Sequence, residues 1–177
     1  MIDIPPSDVA PIDRPPADWN PLPARARPLF LLGGALSMGV IGAVGGVVAG
    51  LVASSEIHTF GRLPLTVAIA ATLTLLTSSF GLWIGYKSHR YTRWRLDEEG
   101  LAVHRGKLWQ RETRVPATRV QHLDLRRGPL QRRRDLATLI VHTAGTAHSS
   151  VSIPNLDLGD AEILRDRLGR QIDRDDD

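Results

Sequence analysis

Two long uncharged runs dominate the hydrophobic pattern of the chain. Leu29 to Ala53 is 25 residues without a charged side chain, and Leu63 to Tyr86 is a second run of 24. At about 1.5 Å per residue each reaches roughly 36 Å as a helix, enough to cross an apolar core of about 30 Å. The pattern predicts two transmembrane helices, spans 29–53 and 63–86, forming a hairpin over residues 28–86. The competing reading is a buried hairpin of a soluble protein. Two runs beyond the threshold of about 18 residues, each with basic flanks, oppose it. Trp83 and Tyr86 close the second run where an interfacial aromatic belt belongs.

After the second run the period shortens. Trp94/Leu96, Leu101/Val103, Leu123/Leu125 and Val151/Ile153 each place two apolar residues on one face of a strand. Leu136–His142 is nearly continuously apolar and reads as the most buried strand. Turn residues punctuate these stretches at Asp97-Glu98-Glu99-Gly100, Gly106-Lys107, Pro116, Gly128-Pro129, Gly145 and Pro154. Beyond Pro154, Ala161, Leu164, Leu168 and Ile172 recur at helical spacing, with Asp157 and Asp160 near the expected helix start. Residues 87–173 are thus expected to form about six or seven strands followed by one helix, with 174–177 an acidic tail.

Residues 1–27 contain seven prolines and four aspartates among few apolar residues. The segment is expected to be a disordered Pro-rich tail, the alternative being a short Pro-rich ligand for a partner domain. It lacks the basic start and early apolar run of a signal peptide.

Charge fixes an orientation. Arg25 and Arg27 precede the first span and Lys87, Arg90, Arg93 and Arg95 follow the second, whereas Arg62 is the one Lys or Arg between them. The positive-inside rule then places both termini in the cytoplasm. Within the strand-rich segment, residues 87–134 hold 14 basic and 5 acidic side chains, and residues 135–177 hold 4 and 9. The densest basic stretch carries Arg126, Arg127, Arg132, Arg133 and Arg134, the candidate contacts to anionic lipid or a protein partner. A solvated loop that only enforces topology remains the alternative. Nucleic acid is disfavoured because no recognisable binding motif accompanies the arginines.

The spans carry small-residue stripes. Gly42, Gly46 and Gly50 recur every four residues, as do Gly81 and Gly85. Such stripes let helix backbones approach closely in lipid, either within the hairpin or in a homo-oligomer. They do not form a nucleotide loop, since no Lys-Ser/Thr follows.

Catalytic chemistry is not visible in the sequence. With no cysteine in the chain, thiol nucleophiles, thiolate metal sites and disulfides are all ruled out. The six histidines show no zinc spacing, although His122 and His142 are placed to meet on neighbouring strands. The spans contain no Asp, Glu, Lys or Arg to carry protons or ions, which argues against a stand-alone transporter. No catalytic residue, cofactor, metal or small-molecule substrate is therefore expected.

The run Trp94-Arg95-Leu96-Asp97-Glu98-Glu99-Gly100-Leu101, followed by Gly106-Lys107-Leu108-Trp109, resembles bacterial PH-domain membrane proteins of the YdbS type. The likeness continues through Val115-Pro116, Arg119-Val120-Gln121-His122, Arg127-Gly128-Pro129-Leu130-Gln131-Arg132 and Leu136-Ala137-Thr138-Leu139. It implies a membrane α-helical hairpin carrying a cytoplasmic PH-like β-barrel closed by a C-terminal α-helix. Phosphoinositide-binding PH domains place basic residues around their first hairpin, where this chain has Asp97-Glu98-Glu99. Lipid contact is therefore expected at Arg126–Arg134 instead, and Arg134-Asp135 departs from the residues common at that turn. The expectation is a non-enzymatic, two-span protein of the bacterial inner membrane whose PH-like domain acts as a binding or scaffold module. The alternative is an accessory subunit of a membrane transport or export complex, acting in envelope stress or antimicrobial-peptide resistance.

Overall fold

The computed structural model describes residues 19–56, 61–97, 100–107, 110–143 and 150–175. The two uncharged runs lie in helices α1 (Arg27–Glu56) and α2 (Arg62–Tyr91), of 30 residues each. Pro28 and Pro64 fall in their first turns, where a missing N–H is tolerated. Leu36, Val44, Leu63 and Leu75 are 63–80% exposed, so the hairpin's outer surface is mainly apolar. Hydroxyl groups along α2 turn inward on the helix: Thr66, Thr72, Thr74, Thr77 and Ser79 each donate to the carbonyl four residues earlier. Each of these hydroxyls thus has an acceptor within its own helix, as a lipid environment demands.

The glycine stripes lie along the contact between α1 and α2. A Cβ placed on Gly46 would stand 2.6 Å from Ala70 Cα, and one on Gly50 2.7 Å from Thr66 Cα. Gly42 faces Leu73, Thr74 and Thr77, while Gly81 meets the backbone of Gly34 and Gly85 that of Phe30. Gly34 extends the stripe by two further turns toward the start of α1.

Among the described residues seven strands form two sheets. β1 (Asn20–Pro21), β2 (Arg93–Asp97), β3 (Gly100–Arg105) and β4 (Arg111–Pro116) make one antiparallel sheet in that order. β5 (Val120–Arg126), β6 (Leu136–Thr143) and β7 (Ser150–Asp157) make the second. A four-residue helix, α3 (Pro129–Arg132), links β5 to β6, and α4 (Leu158–Asp175) follows β7. The core lies between the sheets and α4. Ala137, Leu139, Val141, Ile153, Leu156, Ala161 and Leu168 are fully buried in it, with Leu101, Val103, Val115 and Leu164.

Three expectations are corrected. The barrel is not closed: among the described residues no ladder joins the sheets. Pro116 and the 3₁₀ turn Ala117–Arg119 redirect the chain from β4 into the second sheet. Between the sheets it is the Arg105 side chain that reaches the Ser152 carbonyl.

Residues 19–27, assigned by sequence to a tail without a core, belong to the domain. Asn20 and Pro21 pair with Trp94 and Arg93, Leu22 is 5% exposed within the core cluster, and Ala26 is fully buried. A two-residue strand among prolines has too little length to show a period. Its anchor is the single large apolar side chain of Leu22. Residues 1–18 lie outside the described part, as do His58, Trp109, His148 and the last two tail residues.

Pro154 does not end β7. It sits opposite β6 at a bulge, where Ala137 pairs with Leu156 and Leu139 with Ile153, so Pro154 and Asn155 together oppose Thr138. β7 is an edge strand, which accommodates proline, and Asn155 takes the left-handed conformation at φ 55°.

Candidate functional site

Both legs of the hairpin run directly into the domain. On one side Thr92 alone separates α2 from β2, and its hydroxyl donates to Ser88 O at 2.7 Å. On the other, the 3₁₀ turn Ala24–Ala26 separates α1 from the segment that supplies β1 and Leu22. The legs also touch: His89 Nε2 lies 3.1 Å from Pro23 O, and the Phe30 and His89 rings meet edge to face at 5.6 Å. Arg27 stands over the Tyr86 ring at 4.7 Å and Lys87 Nζ over the Trp83 ring at 3.9 Å. These pairings collect cations and amphipathic rings at one level of the hairpin, the arrangement of a membrane interface.

The arginine-rich stretch lies near the foot of α1. Instead of a plain loop, Gly128 leads into α3, whose first residue is Pro129, a position that spares its missing N–H. Gln131 locks the segment. Its Oε1 accepts from Gly128 N–H at 2.8 Å, and its Nε2 donates to Thr138 Oγ1 at 2.8 Å and Asn155 Oδ1 at 2.7 Å. Asp135 adopts the left-handed conformation at φ 50°, and its carbonyl accepts from Leu158 N–H at 3.0 Å. This fixes the turn whose sequence departs from the resemblance.

The five arginines divide accordingly. Arg127 faces its own turn, with Nε donating to Leu136 O at 3.3 Å and Nη2 3.8 Å from Asp135. Arg126 reaches Asp124 at 3.5 Å. Arg132, Arg133 and Arg134 are exposed, and Arg134 Nη1 approaches Arg25 O at 3.5 Å. Arg25 itself pairs with Asp157, at the end of β7. Sequence alone does not distinguish Arg127 from its neighbours, because its acceptor is a main-chain carbonyl nine residues away.

A second basic region lies at the foot of α2. Trp19 and Tyr91 line a cleft of 260 Å³ together with Arg93, His104, Gly106 and Lys107. Arg95 stands over the Trp19 ring at 4.9 Å, and that ring meets His104 edge to face at 5.7 Å. The grouping escapes sequence reasoning because it joins a residue before the spans to residues after them.

Elsewhere the geometry offers less chemistry. His122 and His142 do meet, stacked at 4.1 Å, with His142 Nε2 3.4 Å from Asp124. Among the described residues no group of three His, Asp or Glu is placed to hold a metal ion. Arg105, beside the gap between β3–β4 and β7, has its pKa lowered by burial and secondarily by Arg111.

The bacterial PH domain family matches residues 29–172 of the chain, both long helices included. The UPF0699 transmembrane protein YdbS of Bacillus subtilis (strain 168) is 37% identical over 82 residues, which cover 46% of this chain and 50% of that protein. The chain therefore matches about half the length of this curated relative. No solved structure matches the chain.

Proposed function

The chain belongs to the bacterial PH domain family, and we propose that it is a non-enzymatic scaffold of the bacterial inner membrane. In this reading both termini are cytoplasmic. The two spans hold a PH-like domain against the inner leaflet, where it binds a protein partner while its basic surface meets anionic headgroups. The observation that carries the reading is the double attachment: Leu22, before the first span, and Trp94, after the second, lie in the same core. A domain tied at one point swings freely. One tied at two points, with Thr92 as its only linker on one side, keeps a fixed face toward the bilayer.

Arg132, Arg133 and Arg134 suit the lipid-facing role because they are exposed and lie beside the segment that enters α1. Each basic side chain near an anionic leaflet contributes about 1 kcal/mol. The glycines are assigned to packing within the hairpin, which leaves the outer apolar faces for lipid or for other spans.

Purification of the full chain from its host in mild detergent tests the proposal. A scaffold retains a cytoplasmic protein, and charge substitutions on the exposed faces of the PH-like domain release it. Stoichiometric retention of multi-span proteins instead favours a subunit of a transport or export complex. Purification of the chain alone, under conditions that preserve other membrane complexes, contradicts the scaffold role.

A further inference from the structure

The cleft at the foot of α2 has the chemistry and the depth of a phosphate site. Tyr91 lies five residues beyond Tyr86, the last residue of the uncharged run. At about 1.5 Å per residue this is roughly 7 Å of helix. The polar layer on each side of a bilayer's hydrocarbon core is about 5–8 Å thick, so Tyr91 stands at headgroup level. The interfacial pairs Arg27–Tyr86 and Lys87–Trp83 mark the edge of the apolar core from which that distance is counted.

At that depth the cleft presents two cations to one space. Arg93 and Lys107 both line it and both are exposed. Among the described residues, no carboxylate lines it. Lys107 Nζ stands 5.8 Å from the centre of the Tyr91 ring, and Trp19 forms a second aromatic wall stiffened by Arg95 and His104. Gly106, at φ 86°, makes the tight turn that brings Lys107 back toward α2. Two cations lining one cleft, with no carboxylate among its described lining residues, favour a phosphate monoanion, and the aromatic walls suit the glycerol backbone beside it.

We propose that this cleft seats the phosphate of one anionic phospholipid, between Arg93 and Lys107. The seat rests on the reading that the domain lies against the bilayer. It is separate from Arg132–Arg134, which lie near the other leg of the hairpin.

The test is native mass spectrometry of the full chain in detergent, titrated with phosphatidylglycerol, phosphatidylcholine or inorganic phosphate. The wild-type chain is expected to hold one phosphatidylglycerol through desalting and to prefer it to phosphatidylcholine. The double variant Arg93→Gln/Lys107→Gln should weaken that adduct about 30-fold, as two lost contacts of about 1 kcal/mol each imply. Arg93→Lys/Lys107→Arg should restore most of it, and Arg119→Gln, on an exposed turn elsewhere, should leave it unchanged. Equal melting temperatures for all variants exclude unfolding as the cause. Equal adducts with the two lipids, or an adduct indifferent to Arg93 and Lys107, overturn the proposal. Displacement of the lipid by inorganic phosphate at equal concentration also overturns it, because the site is then one for free phosphate. A missing adduct leaves partner retention unaffected, and a missing partner leaves the adduct unaffected, so the seat and the scaffold role fail separately.

Discussion

The guanidinium of Arg25 pairs with the carboxylate of Asp157, joining the 3₁₀ turn before the first long helix to the end of the last strand. Asp157 has a second task. Its Oδ1 accepts from Gly159 N–H at 3.1 Å, in the position of a cap for α4. The two roles separate by substitution. Asp157→Asn keeps a capping oxygen and loses only a half-exposed ion pair, so it should cost less than about 1 kcal/mol. Asp157→Ala loses the cap as well and should cost about 1 kcal/mol more. Thermal unfolding of the full chain in detergent measures both, and equal losses would remove the capping role.

Adjacent glycines in α1 should respond oppositely. Gly45 has nothing within 4 Å of an added Cβ, whereas Gly46 meets Ala70 at 2.6 Å. Gly45→Ala should stabilise by about 0.5–1 kcal/mol, through lower freedom of the unfolded chain. Gly46→Ala should destabilise by about 1–3 kcal/mol, because the helices must separate. Unfolding in mixed micelles reads the sign of each change, and a common sign contradicts the packing described.

Leu22 carries a prediction that sequence patterning does not make. Truncating this buried side chain to alanine should cost about 3 kcal/mol although it precedes the spans. Near-ultraviolet circular dichroism of the full chain would report loosening around Trp94, which shares its core cluster. A neutral result would mean that β1 is not part of the domain.

The exposed arginines should act through charge alone. Added phosphatidylglycerol should raise the melting temperature of the wild-type chain. Part of that rise should disappear in Arg132→Gln/Arg133→Gln/Arg134→Gln, and that part should also be lost at high salt, where screening shortens the reach of exposed charges. The share owed to the seat at Arg93 and Lys107 should persist in the triple variant. Gln131 and its three partners remain in place, so the triple variant should melt normally without lipid. A full lipid response from the triple variant would assign the segment to topology only.

Features set by local pattern were legible in the sequence. The spans follow from two uncharged runs, the central strand β6 from the apolar stretch at Leu136–His142, and α4 from Ala161, Leu164 and Leu168. Asp160 does fall in the first turn of α4. What the sequence hid depends on contacts between distant residues. β1 exists because Arg93 and Trp94 offer it an edge, and Arg127 is held by a carbonyl across a turn. Proline misled in both directions. Around Leu22 it suggested a chain without a core, and at Pro154 it suggested the end of a strand that continues past a bulge. The cleft was the least legible feature, since Trp19, Tyr91 and Lys107 share no segment and no spacing.

Orientation decides whether the PH-like domain can act on the cytoplasmic surface at all. Because the chain has no cysteine, single cysteines can be introduced without altering a native thiol. Ser55 is exposed near the end of α1 and Thr118 is exposed on the turn between β4 and β5. In intact cells an impermeant maleimide should label Ser55→Cys, and should label Thr118→Cys only after the membrane is permeabilised. Labelling of Thr118→Cys in intact cells, with Ser55→Cys protected, would place the domain outside and contradict the account.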